Sequence, residues 1–279
     1  MLADCHTHLD QYPFTELQAI VNRAELAGVR IILLAGTTIS SSKQCVEIAN
    51  YHPNLLAGIG IHPLDVTKLI SNEDYSTLRD LAISSYRVVS ISEIGLDFST
   101  EHSDLAIQFQ VFREQIRLAR EVDLPIIFHS REIPGQPELQ RVALRILREE
   151  RGWEVGGAMH YFQGDVATAL ECIDLGFYIS MAKPLLRELS IQEVAKQIPL
   201  GKIVLETDSY PQPFKRDRSR WTEPKDVATV AEKLAELHGI DRAEVESITF
   251  GNTINLLTGN RTSNHRTKLQ QILNHLTHS

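Results

Sequence analysis

The chain has 279 residues, 43% of them hydrophobic, which suits one large folded core and excludes a disordered or fibrous chain. A formal net charge of −8 excludes nucleic-acid binding through bulk positive charge, leaving a local basic patch or metal ions for any such role. Cys5, Cys45 and Cys172 are too few and too far apart for a disulfide framework. No run is long and apolar enough to span a membrane, and no basic, apolar leader precedes the first predicted strand, so a cytoplasmic setting is expected.

The chain opens with MLADCHTHLD. If residues 2–8 form a strand, side chains two apart share a face, so Asp4, His6 and His8 lie on one side and Ala3, Cys5 and Thr7 on the other. Two imidazoles beside a carboxylate are a fragment of a metal shell. A helical period follows through Leu17, Ile20, Val21 and Ala24, then a buried strand, VRIILLAG, at 29–36. LLAGIGIHP (55–63) and RVVSISEIGLD (87–97) predict the third and fourth strands, with a helix around Leu78, Leu81 and Ala82 between them. A long helical period covers 105–122, and LPIIFHS (124–130) is the fifth strand. A helix over 137–149, a strand within 153–162 and a helix over 165–174 come next. A strand over 176–182, a helix over 186–197 and the strand KIVLETD (202–208) continue the alternation. A final helix is expected from Pro224, at a favourable first position, to Leu237. Residues 260–279 are polar, with Leu269, Ile272, Leu273 and Leu276 at helical spacing; they predict a helical tail outside a single domain spanning 1–259.

Eight strand–helix units with near-continuous apolar strands predict an α/β fold whose parallel sheet closes as a (β/α)8 TIM barrel. An open doubly wound sheet is the alternative, and the lack of GxGxxG after the first strand weighs against a dinucleotide fold. Of eleven histidines, five fall at or near predicted strand ends: His6, His8, His62, His129 and His160. Glu93 and Asp97 join them from strand four, Glu206 and Asp208 from strand eight. In a TIM barrel that end carries the active site. Imidazoles and carboxylates gathered there predict bound divalent cations, and a pair of cations bridged by a carboxylate can drive displacement at phosphorus. Glu93 is the natural bridge.

Several motifs stand in a recognisable order: DCHTHLD, GIHP (60–63), SEIGLD (92–97), QFQVFREQIRLAREVDLPIIFHSR (108–131), HYF (160–162), LETDS (205–209) and GNTINLL (251–257). Over residues 1 to about 257 the chain resembles the TatD family of metal-dependent deoxyribonucleases. The resemblance implies a metal-dependent hydrolase of the amidohydrolase-like barrel type, two divalent ions (Mg, Mn or Zn) and hydrolysis of DNA by a water that they activate. It implies His6, His8, Glu93 and Asp208 as ligands of one ion and Glu93, His129 and His160 as ligands of the other. Asp208 would also orient or deprotonate the water, so Asp208 and Glu93 are the expected catalytic pair. Departures surround this set: Ser92 stands where the family usually has Gly, Leu64 where another His is usual, and Ile133 where Ala is usual. Tyr161 and Gln163 replace smaller residues, MAKPLL (181–186) lacks the usual Gly, and Thr222 replaces Asn before Glu223-Pro224. The inferred ligands are all kept, so the differences concentrate in the parts that would face substrate.

His62 and Arg131 are candidate substrate contacts; each also has a plain reading, a rim hydrogen bond for His62 and a salt bridge for Arg131. Asp4 and Glu206, one pleat below His6 and Asp208, read as partners of the inner residues, and Asp97 as a cap on the turn after strand four. The loop FKRDRSRW (214–221) offers Lys215, Arg216, Arg218 and Arg220 to phosphates and Phe214 and Trp221 to bases, with Lys183 and Arg187 nearby. The expected partner is DNA, single-stranded or at its ends, with no membrane role, and the chain is expected to be a monomer or weak oligomer. Two other functions fit the pattern: a metal-dependent hydrolase of a small ester, lactone or amide, and a non-catalytic binding barrel.

Overall fold

The computed structural model describes residues 1–99, 104–132 and 138–259. The first half runs β1 (Leu2–Thr7), α1 (Phe14–Leu26), β2 (Val29–Ala35), α2 (Ile39–Ala49), β3 (Leu55–Ile59), α3 (Asn72–Ser84), β4 (Val88–Asp97) and α4 (Leu105–Glu121). The second runs β5 (Ile126–Arg131), α5 (Glu138–Glu149), β6 (Gly157–Met159), α6 (Val166–Asp174), β7 (Phe177–Met181), α7 (Leu189–Gln197), β8 (Ile203–Leu205), α8 (Val227–His238) and α9 (Arg242–Thr258). The eight strands pair in parallel in chain order. The ring closes beyond β8: Thr7 bridges Ser209, the His8 N–H donates to Ser209 O at 2.8 Å, and the Asp208 N–H donates to His6 O at 3.0 Å. This is the expected (β/α)8 TIM barrel, and its closing bonds run through three of the candidate site residues.

The strands are Val/Ile/Leu-rich because both faces are covered, as a barrel with outer helices requires. Leu17, Ile20, Val21 and Ala24 form the buried stripe of α1 against this wall. Helix starts are fixed by side chains that accept orphan amides: Thr38 and Ser41 form a reciprocal box on α2, Asp104 caps α4 and Asp165 caps α6. A second apolar cluster joins Ala3, Cys5, Ile31, Leu33, Leu56, Val89, Ile127, Ala158 and Val204 to Phe250, Leu256 and Leu257 of α9. Helix α9 lies against the end where strands begin: Asn252 Nδ2 donates to Leu200 O and Ile203 O, and the chain's amino group meets Glu246. The opposite, C-terminal end is left open for the site.

Four expectations change. Helix α2 was not anticipated because ISSSKQCVEIA is rich in serine and weak in apolar period. Helix α9 was not anticipated because it buries Thr249, Asn252 and Thr253 beside its apolar residues, which blurs the stripe. The helix expected to be last is α8; Pro224 opens a short 3₁₀ turn ahead of it. In β1 a register shift falls between Asp4 and Thr7 and the strand ends at Thr7, so simple alternation does not carry through to His8. The predicted tail, 260–279, lies outside the described residues. Among those residues no helix is long and apolar enough to cross a membrane.

Two glycines let the neighbours of β5 approach it. At Gly95 (φ 142°) an added Cβ would lie 1.9 Å from His129 O, and at Gly157 (φ 147°) 1.7 Å from Ile126 O. Gly95→Ala should therefore destabilise the fold by about 2 kcal/mol or more. Gly201→Ala, whose Cβ meets nothing within 4 Å, is the control and should change little. Equilibrium denaturation checks this; equal midpoints for the two variants would contradict the account.

Candidate metal centre

Glu93 sits inside β4, and its N–H donates to Gly36 O at 2.9 Å, which draws it to the end of β2. Its buried carboxylate is ringed by imidazoles. On one side, Glu93 Oε2 lies 3.3 Å from His6 Nε2 and 3.6 Å from His8 Nε2. On the other, Oε1 lies 3.1 Å from His129 Nδ1, 3.3 Å from His160 Nε2 and 3.4 Å from His62 Nε2. Asp208 Oδ1 is 3.3 Å from His8 Nε2. Side chains from the ends of β1, β3, β4, β5, β6 and β8 thus converge.

Helix α4 holds the backbone beneath them with two buried amides seven residues apart. Gln108 exchanges hydrogen bonds with the N–H and C=O of Asp97, and Gln115 does the same with Ile61, next to His62. Asp208 (φ 51°) and Tyr161 (φ 44°) occupy the left-handed region, which Asp tolerates and Tyr rarely adopts. Bonds from other strands maintain both: His6 O accepts from Asp208 N–H, and Glu206 Oε1 accepts from Tyr161 N–H at 2.8 Å.

The outer nitrogen of each ring decides what the inner one presents. A carbonyl or carboxylate can only accept, so an imidazole nitrogen facing one carries the proton. His8 Nδ1 faces Ala35 O at 3.2 Å, His129 Nε2 faces Asp97 Oδ2 at 2.8 Å, and His160 Nδ1 lies 2.9 Å from Glu206 Oε1. In the neutral rings the bare nitrogens therefore point at Glu93 and Asp208, lone pair against lone pair. Either protons or cations must lie between them. Among the described residues, neither ring nitrogen of His6 has a hydrogen-bond partner, though the residue is fully buried. Left so, it would cost about 1–3 kcal/mol. This donor set, with an orphaned imidazole, fits divalent cations. His62 differs: its Nδ1 accepts the Leu64 N–H at 3.1 Å, so the neutral ring presents N–H to the cluster instead of a lone pair.

The charges agree. Burial alone would raise the Glu93 carboxyl, but the charges of His62, His160 and His6 and a hydrogen bond from His129 hold it well below the usual range. Burial works in the same way on Asp208, and His8, His160 and His6 keep it low. Against burial, Glu206 and Glu93 lift His160 to about 10, while Asp208 and Glu93 lift His8 to about 9. Burial and then His160 push His6 down. In the metal-free molecule, protons on His8 and His160 thus do what cations would do.

Two groups of donors, His6/His8/Glu93 and Glu93/His129/His160, each have ligand atoms within 4.8 Å of one another. Asp208 groups with His6 and His160, and Asp97 with His62 and His129. The cluster floors a cavity of about 510 Å³ also lined by Leu64, Arg131, Tyr161, Gln163 and Tyr210. A larger groove of about 760 Å³, between α2 and the start of α1, has no such donor set. Arg131 lines the site cavity and has no carboxylate partner among the described residues. Asp97 caps its turn as expected, accepting from Ser99 N at 2.8 Å, and also aligns His129, a role hidden in its even spacing from Glu93. Asp4 turns to Thr207, accepting from its N–H at 2.9 Å and its hydroxyl at 2.5 Å.

The basic loop does not line the cavity. Arg218 was expected to face substrate, but it is tied down: its Nη2 donates to Glu16 at 2.7 Å and its Nη1 to Glu223 at 3.0 Å, and its guanidinium lies 4.5 Å from the Trp221 ring centre. Arg218 and Trp221 therefore fasten the loop to α1. Lys215 Nζ turns back on its own loop, donating to Gln212 Oε1 at 2.5 Å and Arg220 O at 3.1 Å. Arg216 and Arg220 are exposed to solvent.

Metal titration tests this centre. Glu93→Gln should abolish tight binding of Mn²⁺, and Asp97→Asn, which loosens the hold on His129, should weaken it about 10–100-fold. Wild-type affinity in both variants would contradict the geometry.

A family model described as TatD related DNase matches residues 3–258. The chain is 36% identical over 259 residues to YabD, an uncharacterized metal-dependent hydrolase of Bacillus subtilis (strain 168), covering 90% of this chain and 97% of the relative. It is 31% identical over 270 residues to the Homo sapiens deoxyribonuclease TATDN3, covering 91% and 94%. Among solved structures, the TatD homolog YJJV of Escherichia coli k12 superposes with a TM-score of 0.82 at 27% identity, over 92% of this chain and 97% of that one. A match from end to end of the barrel leaves one assignment: the chain belongs to the TatD-related DNase family, and it is a metal-dependent hydrolase.

Proposed function

We propose that the protein is a deoxyribonuclease that hydrolyses phosphodiester bonds at a centre for two divalent ions, acting on single strands or strand ends. The observation that carries the reading is Glu93, whose two oxygens face two separate sets of imidazoles. On this reading His6, His8, Glu93 and Asp208 hold one ion, and Glu93, His129 and His160 hold the other. Mg²⁺, Mn²⁺ or Zn²⁺ bound there supplies positive charge for the attacking and leaving oxygens and makes water more acidic.

The chain's own residues do the rest. Asp208, on its left-handed turn beside His8, accepts a hydrogen bond from the attacking water and orients it. The fixed N–H of His62 donates to a non-bridging phosphoryl oxygen, where charge builds in the transition state. Arg131, without a carboxylate partner among the described residues, grips a phosphate at the cavity edge. Asp97 and Glu206 keep their imidazoles turned inward. The three cysteines are free and buried, which fits a reducing cytoplasm. The name of the human relative, a deoxyribonuclease, supports DNA as the substrate.

A single-stranded oligonucleotide should be degraded with Mg²⁺ or Mn²⁺, and chelator should stop the reaction. Asp208→Ala should fold normally by circular dichroism and lose about 10²–10⁴-fold in rate. Wild-type rates in Asp208→Ala would overturn the mechanism. Turnover of lactones or carboxylic esters with DNA untouched would overturn the substrate and favour a small-molecule hydrolase.

A further inference from the structure

The cavity above the centre is poor in positive charge. Four carboxylates, Asp65, Glu93, Asp97 and Asp208, line it, and Arg131 is the one Lys or Arg among the described residues that does. The chain as a whole carries −8. Proteins that hold nucleic acid chiefly through its phosphates use many Lys and Arg side chains. Here the metal centre and Arg131 serve the scissile phosphate and one neighbour, so the rest of the grip has to come from the bases.

The mouth of the cavity offers apolar and aromatic surface for that purpose. Leu64 after β3 and Tyr210 after β8 line it while 44% and 37% exposed, and Tyr161 after β6 lines it as well. Large side chains left in water around one polar cavity mark a surface that a ligand covers. Strands β6 and β8 flank β7, and β3 lies opposite β7 in a closed ring of eight. The two tyrosines therefore share one side of the mouth, and Leu64 stands across from them. The cavity of about 510 Å³ falls within the roughly 300–1,000 Å³ of sites that enclose one small molecule, which is room for one nucleotide and not for a length of strand.

Tyr161 is the ring nearest the centre. Its neighbours His160 and Phe162 are both buried, yet Tyr161 is only half-buried. Its left-handed backbone (φ 44°) turns this one residue outward between two that point in. Two bonds maintain the turn: the Tyr161 N–H donates to Glu206 Oε1 at 2.8 Å and the Phe162 N–H to Ser180 O at 3.1 Å. Bulky residues avoid that region, so a conformation kept against its steric cost points to a use for the ring. The ring centre lies 5.8 Å from that of His160, whose Nε2 is 3.3 Å from Glu93. The ring thus stands one side chain away from the centre, within reach of a base on the sugar next to the scissile phosphate.

We propose that Tyr161 holds the base of the nucleotide next to the scissile phosphate, stacking on it in a subsite whose other walls are Tyr210 and Leu64. The proposal rests on the nuclease reading above. Every base has a flat face, so the subsite accepts any base and rejects a sugar-phosphate backbone without one.

The test compares two single strands of equal length and charge, a ten-nucleotide oligo(dT) and a decamer in which every nucleotide is a tetrahydrofuran abasic site. Both are assayed with Mn²⁺, and each protein's metal content is measured alongside. Tyr161→Ala should lower kcat/KM on oligo(dT) by about 5–150-fold, the effect of losing one stacked base, and leave the rate on the abasic decamer as in wild type. Tyr161→Phe, which keeps the ring, should match wild type on both. A change that merely upset the fold or the metal site would lower both substrates alike. If wild type cleaves oligo(dT) and Tyr161→Ala alters both decamers equally or neither, the subsite is wrong and the nuclease reading stands. If wild type leaves oligo(dT) intact, the nuclease reading falls and the subsite falls with it.

Discussion

A buried carboxylate among bare imidazole nitrogens is the constraint on which the structure depends. Glu93 cannot be solvated where it lies, and the rings of His8 and His129 turn acceptors towards it because their outer nitrogens are committed to Ala35 and Asp97, while the outer nitrogen of His160 lies 2.9 Å from Glu206. Such a set is stable only with positive charge inside it. Protons can supply that charge, as the raised His8 and His160 indicate; on the proposed function divalent cations would supply it and would also give His6 a partner. The outer acceptors therefore matter as much as the inner ring, since they decide which nitrogen is bare.

The barrel makes this set possible. No two neighbours in the chain could surround one carboxylate; eight strand ends on a ring can. Closing the ring uses the backbones of His6, His8 and Asp208, so the bonds that complete the fold also set two of the inner imidazoles against an inner acid. Gln108 and Gln115 brace the segments bearing Asp97 and His62, while Gly95 allows β4 to lie close to His129. Stability and chemistry share these bonds, and three residues of the cavity lining, Leu64, Tyr161 and Gln163, are among the positions that depart from the family pattern.

Much of this was legible in the sequence. The strands announce themselves through continuous Val/Ile/Leu runs, and histidines and acids at their ends single out one rim. What the sequence hid had physical reasons. Helix α2 is written in serines and held by its cap, and α9 mixes buried threonine and asparagine into its inner face. Charge alone drew attention to the 214–221 loop, yet Glu16 and Glu223, distant and near in sequence, neutralise Arg218 and turn it into a fastener. The tautomer of each ring is also invisible in sequence, since it depends on which acceptor the fold brings behind it.

Crystals soaked in Mn²⁺ and measured for anomalous scattering test the central claim most directly. The account predicts two peaks roughly 3.5–4 Å apart, one on each side of the Glu93 carboxylate. A single peak, or peaks away from Glu93, would contradict it.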